Sequence, residues 1–300
     1  MYDVIVVGGS YAGMAAALQL LRARRQVLVI DAGQRRNRFA SHSHGFLTQD
    51  GVDPAVIAAT ARAQLQRYPT LSWREGAVTS VSGAKDRFEV TTEDSERLAS
   101  RRVILATGLA DTLPQIPGLA ERWGKSVFHC PYCHGYELDF GRIALIANGP
   151  EAIHHAPLFT EFGQATLLTN ALVPLEPETC RTLTDRGLTL EGRAILEVAG
   201  PLEGPVEVRF QSGEPLSFAG LFVATKTRPA SLPAEALGVA MEETPMGVQY
   251  RTDGFKETSI PGLYACGDAA RVPHSVSLTV GDGAWAGAMV HRSLVFDPAL

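Results

Sequence analysis

Residues 3 to 20 read DVIVVGGSYAGMAAALQL, and residues 26 to 33 read QVLVIDAG. Val4 to Val7 form an unbroken apolar run, the pattern of a strand covered on both faces in a parallel sheet. From Gly13 to Arg25 the chain combines good helix formers with a basic last turn, which suits the negative end of a helix. Residues 26 to 33 return as a second strand. Gly8, Ser10 and Gly13 stand at the spacing of the dinucleotide fingerprint Gly-x-Gly-x-x-Gly, with serine in the middle place. Asp31 closes the second strand, where a ribose hydroxyl would need an acceptor. A tight glycine turn opening onto a helix N-terminus is a seat for a pyrophosphate. The order strand, turn, helix, strand lifts this match above an incidental glycine-rich turn.

The bulk of the chain narrows the classes further. Its 300 residues, 45% hydrophobic and 20% charged, suffice for two packed domains. A net charge of -5 leaves no basic footprint and argues against nucleic acid as a partner. No apolar run approaches the ~20 residues of a membrane span, and a strand-like stretch begins at Tyr2, which leaves no room for a signal peptide. A cytoplasmic protein with no membrane partner is expected. Four cysteines are too few for a disulfide scaffold, so Cys130 and Cys133 in HCPYCHGYE (129–137) read as catalytic or metal-binding. Zinc would need two more ligands, yet Cys180 and Cys266 are isolated and no second Cys-x-x-Cys occurs. Redox catalysis is therefore the favoured reading, with Cys180 and Cys266 as inert small thiols.

The chain also repeats itself. LSWREGAVTSVS, DRFEVTTED and RRVILATG read as strands of an antiparallel layer followed by a return to the parallel sheet, and DTLPQIPGL reads as a crossing linker. RIALIANGPEAIHHAPLF then aligns with the first strand, turn and helix. Ala147 falls on Gly8, Gly149 on Ser10, Ala152 on Gly13 and Asn170 on Asp31, at a constant offset of 139. Lys226 stands where the first copy has Gly108. The second copy keeps the scaffold and loses several binding signals. The final stretch gives a short strand ending at Gly267 and Asp268, where an amide and a carboxylate would meet the middle of a long cofactor, and then a small-residue helix beginning near Gly281. The fold class is α/β, with two Rossmann-like, three-layer ββα dinucleotide-binding domains, the second inserted in the first.

VVGGSYAG, Asp31, ILATG followed by PQIPG, CPYC, and TSIPGLYACGDAA with a later GDGAWAG together resemble the low-molecular-weight thioredoxin reductase family of FAD-dependent disulfide oxidoreductases. The resemblance covers essentially the whole chain. It implies an FAD-binding domain at 1–116 and 246–300 and an NAD(P)-binding-like domain carrying the cysteine pair at 117–245. It places FAD at Gly8, Ser10, Ala12, Gly13, Asp31, Asn37, Val78, Thr107, Gly108, Gly267, Asp268, Ser275 and Val276. Cys130 and Cys133 become the redox pair, with Cys133 facing the flavin and Cys130 exchanging with substrate. A homodimer is implied, as is rotation of the inserted domain about linkers near Pro117 and Met246.

Two departures from that family stand out. The acid that usually follows the second cysteine is replaced by His134, which can take up or release a proton near neutral pH and, as imidazolium, can stabilise a thiolate. CPYCHGYE also looks like a branch of dithiol oxidases that pass electrons to oxygen. In the second fold, ANGPEA replaces Gly-x-Gly-x-x-Ala, and no arginine follows from Leu167 until Arg181, so the 2'-phosphate of NADPH has no bidentate partner. NADPH use is expected to be weak or absent, with NADH, a second flavin or nothing in the vacated pocket. Candidate electron and substrate partners are a small dithiol or disulfide, a thioredoxin-like protein, ferredoxin or oxygen. The rival functions are an NAD(P)H-dependent thioredoxin reductase and a non-enzymatic flavin redox sensor. His42 and His44 read as local loop histidines or as a relay beside the flavin, and His154 and His155 as surface residues.

Overall fold

The apolar run at the N-terminus becomes the strand Tyr2–Val7, buried from Val4 onward. It lies inside a parallel array in the order Leu71–Glu75, Val27–Asp31, Tyr2–Val7, Arg97–Leu105, Leu263–Ala265. The computed structural model describes residues 1–297. Val4 and Val6 pack against the helices Tyr11–Arg22 and Val276–Phe296, while Ile5 and Val7 pack against the other face. Both faces are covered, which explains the absence of alternation in the sequence. Strand Arg97–Leu105 serves two layers. Its second half runs parallel beside Tyr2–Val7, and its first half closes an antiparallel meander with Arg87–Thr92 and Val78–Ala84.

Leu71–Glu75 belongs to the parallel sheet, paired with Val27–Asp31, and not to the antiparallel layer expected of it. As an edge strand it is only partly buried and so lacks the continuous apolar run of its neighbours. The last helix starts at Val276, earlier than the expected Gly281, because Ser275 caps it by accepting from the Leu278 amide at 3.2 Å. Its small residues face the first helix. A Cβ at Gly283 would fall 2.2 Å from the Ala12 carbonyl oxygen, and one at Gly287 would fall 2.4 Å from that of Ala16. At its far end the fully buried Arg102 donates to the carbonyl oxygens of Ser293 and Asp297 at 3.2 and 3.1 Å and pairs with Asp86 at 2.8 Å. A cation there satisfies carbonyls that a helix C-terminus leaves open.

The second unit repeats the first with the order Thr189–Glu191, Gly163–Leu168, Phe140–Ile146, Gly220–Val223, Val127–Phe128, all parallel. Its own meander is Ile195–Ala199, Val206–Phe210 and Leu216–Phe218. Val127–Phe128 occupies the edge that Leu263–Ala265 occupies in the first sheet. Strands Leu109–Thr112 and Lys226–Pro229 run antiparallel to each other, and the hairpin Met241–Thr244 and Gly247–Tyr250 extends their sheet. Ala234, Val239 and Tyr250 are already part of the core beneath the first sheet. No helix among the described residues is long and apolar enough to cross a membrane.

Two glycines of the last helix separate crossing geometry from propensity. Gly283→Val is expected to destabilise the protein by about 2 kcal/mol or more, since overpacking of close-packed elements costs ~1–3 kcal/mol. Gly281 has open space around it, so Gly281→Ala is expected to stabilise by ~0.5–1 kcal/mol through helix propensity. Denaturant unfolding of both variants measures the contrast.

Candidate active site

The glycine turn works by backbone contact. Gly8 has φ +104, and a Cβ on it would lie 2.2 Å from the Ala106 carbonyl oxygen. A Cβ on Gly13 would lie 1.8 Å from the oxygen of Gly8, so this glycine permits the helix to start against the turn and does not itself line the cleft. Asp31 accepts from the Gly9 amide through Oδ1 at 3.1 Å. Above these strand ends opens a cavity of about 410 Å³, at the carboxyl ends of a parallel sheet as such folds dictate.

Most of the residues expected at the cofactor do line this cavity. Gly8, Ser10, Ala12 and Asp31 come from the first strand–helix–strand unit, with Asn37 and Val78 from the segments that follow. Thr107 and Gly108 come from the turn after Arg97–Leu105, and Asp268, Ser275 and Val276 from the C-terminal segment. Gly267 is a correction. Its amide donates to Asp282 Oδ2 at 2.8 Å and its φ of +71 lets it sit against Ala12, so its role is to hold the turn and its amide is not free for a ligand. Lys256 secures the same turn, with Nζ 3.1 Å from Asp282 Oδ2 and 3.0 Å from the Ala270 carbonyl oxygen.

Four polar atoms of residues on the cavity wall are buried without a hydrogen-bond partner: Arg35 Nε, Asn37 Oδ1, Thr107 Oγ1 and His274 Nδ1. Each such orphan costs ~1–3 kcal/mol when nothing satisfies it. They fit a long, polar, hydrogen-bonding ligand of the dinucleotide kind.

Arg36 lies across the cavity wall. It forms two hydrogen bonds to Asp111, at 2.8 and 2.6 Å, and reaches Asp268 at 3.4 Å. Burial opposes the charge on Asp111, but the Arg36 hydrogen bonds and charge outweigh it and hold the carboxyl below its usual range. Thr225 also donates to Asp111, at 2.8 Å, and Thr279 donates to Asp268 at 2.6 Å. One network thus joins the crossing strands to the C-terminal segment. Nothing around Arg36, which stands between Arg35 and Arg38, marks it out in the sequence.

Cys130 precedes the short helix Pro131–His134, whose second cysteine reaches the cavity wall while Cys130 does not. Both thiols are free. The Cys133 thiol donates to the Cys130 sulfur, which pulls the Cys130 pKa down despite burial, and the amides of Cys133 and Tyr132 assist. Cys133, as the donor and partly buried, is pushed up. The direction of these two shifts favours Cys130 as the thiolate of the reduced pair. His134 stacks on Phe128 with ring centroids 4.2 Å apart, and burial, followed by the nearby His44, pulls it to about 4. His129 falls to about 3 through burial and then Arg36. Both flanking histidines are therefore neutral at pH 7. The imidazolium expected as a thiolate partner is disfavoured, and the Cys133 thiol and helix amides supply that stabilisation. His44 lies 3.3 Å from Glu137 and 3.5 Å from Asp50, which makes it a link between the two units as well as a local loop residue. His154 and His155 are exposed.

The second glycine turn keeps one backbone hydrogen bond of the first, the Ala147 amide bonding Leu168 at 2.9 Å as the Gly8 amide bonds Ile30 at 2.8 Å, but Ala147 lacks the positive φ of Gly8. Asn170 Oδ1 accepts from the Ile195 amide at 2.6 Å. Glu151 pairs with Lys226 at 2.8 Å, and a Cβ on Gly149 would lie 2.9 Å from the other Glu151 oxygen. Lys226 also donates to the Pro245 carbonyl at 3.0 Å.

In the reduced protein, Cys130 is expected to be alkylated below the pH at which a free cysteine (pKa ~8.5) reacts. Cys133→Ala should move that profile upward and Cys133→Ser, which keeps a donor, should move it less, as read by mass spectrometry of the labelled peptide. His129, His134 and His274 all have lowered pKa values. Between about 4 and 6.5 the unfolded chain binds more protons than the folded one, so stability rises with pH across that window and is lost as pH falls through it. Tm measured from pH 7 to 4.5 should drop, and less steeply in His129→Gln.

The model of the family described as pyridine nucleotide-disulphide oxidoreductase matches residues 2–283. Thioredoxin reductase tcpT of Claviceps purpurea is 32% identical over 306 residues, covering 98% of this chain and 95% of that protein. Thioredoxin reductase aclD of Aspergillus oryzae is 32% identical over 312 residues, covering 99% and 98%. A solved oxidoreductase from Agrobacterium tumefaciens matches at a TM-score of 0.95 with 51% identity over 99% of both chains. The chain belongs to the pyridine nucleotide-disulphide oxidoreductase family, as a flavin disulfide oxidoreductase of the thioredoxin reductase type.

Proposed function

We propose that this protein interconverts a dithiol and a disulfide through Cys130 and Cys133 without drawing electrons from NADPH, in the manner of the CPYC dithiol oxidases. FAD, which the family implies, would lie along Gly8, Ser10, Ala12, Asp31, Asn37, Val78, Thr107, Gly108, Asp268, Ser275 and Val276. Bound there, it supplies a two-electron couple next to the cysteine pair.

The protein's own groups handle thiols and protons. In the oxidising direction a substrate thiolate attacks one sulfur of the Cys130–Cys133 disulfide, and the other cysteine leaves as thiolate. The second substrate thiol then attacks its own mixed-disulfide sulfur, so the substrate closes to a disulfide and the enzyme pair is left reduced. Two substrate protons must go somewhere. His134, beside the pair, is neutral at pH 7, and burial makes it a weak base with a pKa of about 4, so it sets no preference between dithiol oxidation and disulfide reduction.

The single observation that carries the NADPH-independent reading is Glu151. Its carboxylate lies over Gly149 at the turn where a nucleotide pyrophosphate would sit, paired with Lys226. An anion already held there repels a second one, and Pro150 removes an amide that a phosphate would use. Asn170 spends its one side-chain oxygen on the Ile195 amide, whereas Asp31, with one oxygen on the Gly9 amide, has a second carboxylate oxygen. The competing reading is an NAD(P)H-dependent reductase of a thioredoxin-like protein, which the names of the Claviceps and Aspergillus relatives favour. For the change of position that exposes the pair, we place the crossing at the paired strands Leu109–Thr112 and Lys226–Pro229, because Ala234 onward packs under the first sheet.

An anaerobic titration of the flavin-loaded protein separates the readings. NADPH and NADH at stoichiometric amounts are expected to leave the visible flavin band unbleached, and a small dithiol is expected to bleach it. Rapid bleaching by NADPH together with turnover of thioredoxin would return the protein to the reductases.

A further inference from the structure

His274 lies outside every motif of the chain and yet faces the cavity of the candidate site. It is 9% exposed, it lines the cavity wall, and its Nδ1 is buried with no hydrogen-bond partner. The other orphaned atoms on that wall, on Arg35, Asn37 and Thr107, lie in segments to which the cofactor is already assigned. His274 stands one residue before the Ser275 cap of the last helix.

Its position can be bounded from its neighbours. It shares the wall with Asp268 and Arg36 of the first unit and with Asp111 of the crossing strand, whose charges all act on it. His129, the residue before Cys130, feels His274 as well. His274 therefore belongs to the end of the cavity where the cysteine pair enters, away from the Asp31 end. The charged groups around it are already engaged: Arg36 with Asp111 and Asp268, and Asp268 with Thr279. None of them holds Nδ1, and a buried imidazole nitrogen left open in this way is normally completed by a ligand or an ordered water.

We propose that His274 is a cofactor-contacting residue, whose Nδ1 makes a hydrogen bond to the ring end of the FAD in this cavity. The inference rests on the assignment of FAD to the cavity made above. A neutral imidazole held among Asp268, Arg36 and Asp111 brings an oriented dipole to that end without adding a charge. The contact then adjusts both how tightly the flavin is held and how readily it accepts electrons.

The test uses apoprotein reconstituted with FAD, with the flavin absorption band, its midpoint potential and the FAD dissociation constant as readouts. His274→Ala is expected to weaken FAD binding about two- to tenfold, the loss associated with one hydrogen bond, and to shift the band and the potential. His274→Gln, which keeps a hydrogen-bonding group, should recover part of each change, and His274→Phe, which keeps the bulk alone, should not. His154→Ala, on an exposed residue, serves as the control for unrelated histidine loss. If His274→Ala fails to fold, the Gln and Phe variants carry the decision. Indistinguishable spectra, potentials and affinities for those two would overturn the inference while leaving the FAD assignment standing. Wild-type protein that takes up no FAD would overturn both.

Discussion

The structure depends on backbone meeting backbone without side chains in between. Gly8 lies against Ala106, Gly13 against Gly8, and Gly283 and Gly287 against Ala12 and Ala16. Three stretches far apart in the chain thus converge on the first two turns of one helix. A methyl group at any of these places would push them apart by an ångström or more, and the cavity between them would lose its shape. The hydrophobic layers on either side of the first sheet hold the converging segments in place, but the glycines decide how close they come. Arg102 fastens the far end of the last helix, so that the close crossing at its start is not strained by movement at its end.

Much of this was legible in the sequence, for a physical reason. A strand buried on both faces, a turn that needs glycine and a helix that needs good formers are local requirements, and each leaves its mark within a few residues. The repeat was legible for the same reason, since the second unit meets the same local requirements 139 residues later. Cys130 and Cys133 were legible because two cysteines so spaced are rare and chemically particular. Pairings across the chain left no such mark. Arg36 meets Asp111 and Asp268, 75 and 232 residues away, and nothing around Arg36 distinguishes it from Arg35 or Arg38. Gly267 carried the right signal for the wrong reason: it is glycine because of its φ and its contact with Ala12, while Asp282 takes its amide. The edge strand Leu71–Glu75 misled because an exposed edge relaxes the burial pattern on which the reading relied.

The two units also place their chemistry alike. In the first, the edge strand Leu263–Ala265 leads into the turn that carries Asp268; in the second, the edge strand Val127–Phe128 leads into Cys130 and Cys133. The chain order differs, because the first unit supplies that strand from its C-terminal segment and the second supplies it at its start. The position beside the return strand is the same. Both turns contribute to the wall of one cavity, through Asp268 and Cys133.

Leu109–Thr112 and Lys226–Pro229 are hydrogen-bonded to each other along their whole length. A single connecting strand bends in any direction, whereas a ladder of two resists bending in its plane and yields mainly by twisting about its long axis. The two units are therefore joined through paired strands that resist bending more than twisting.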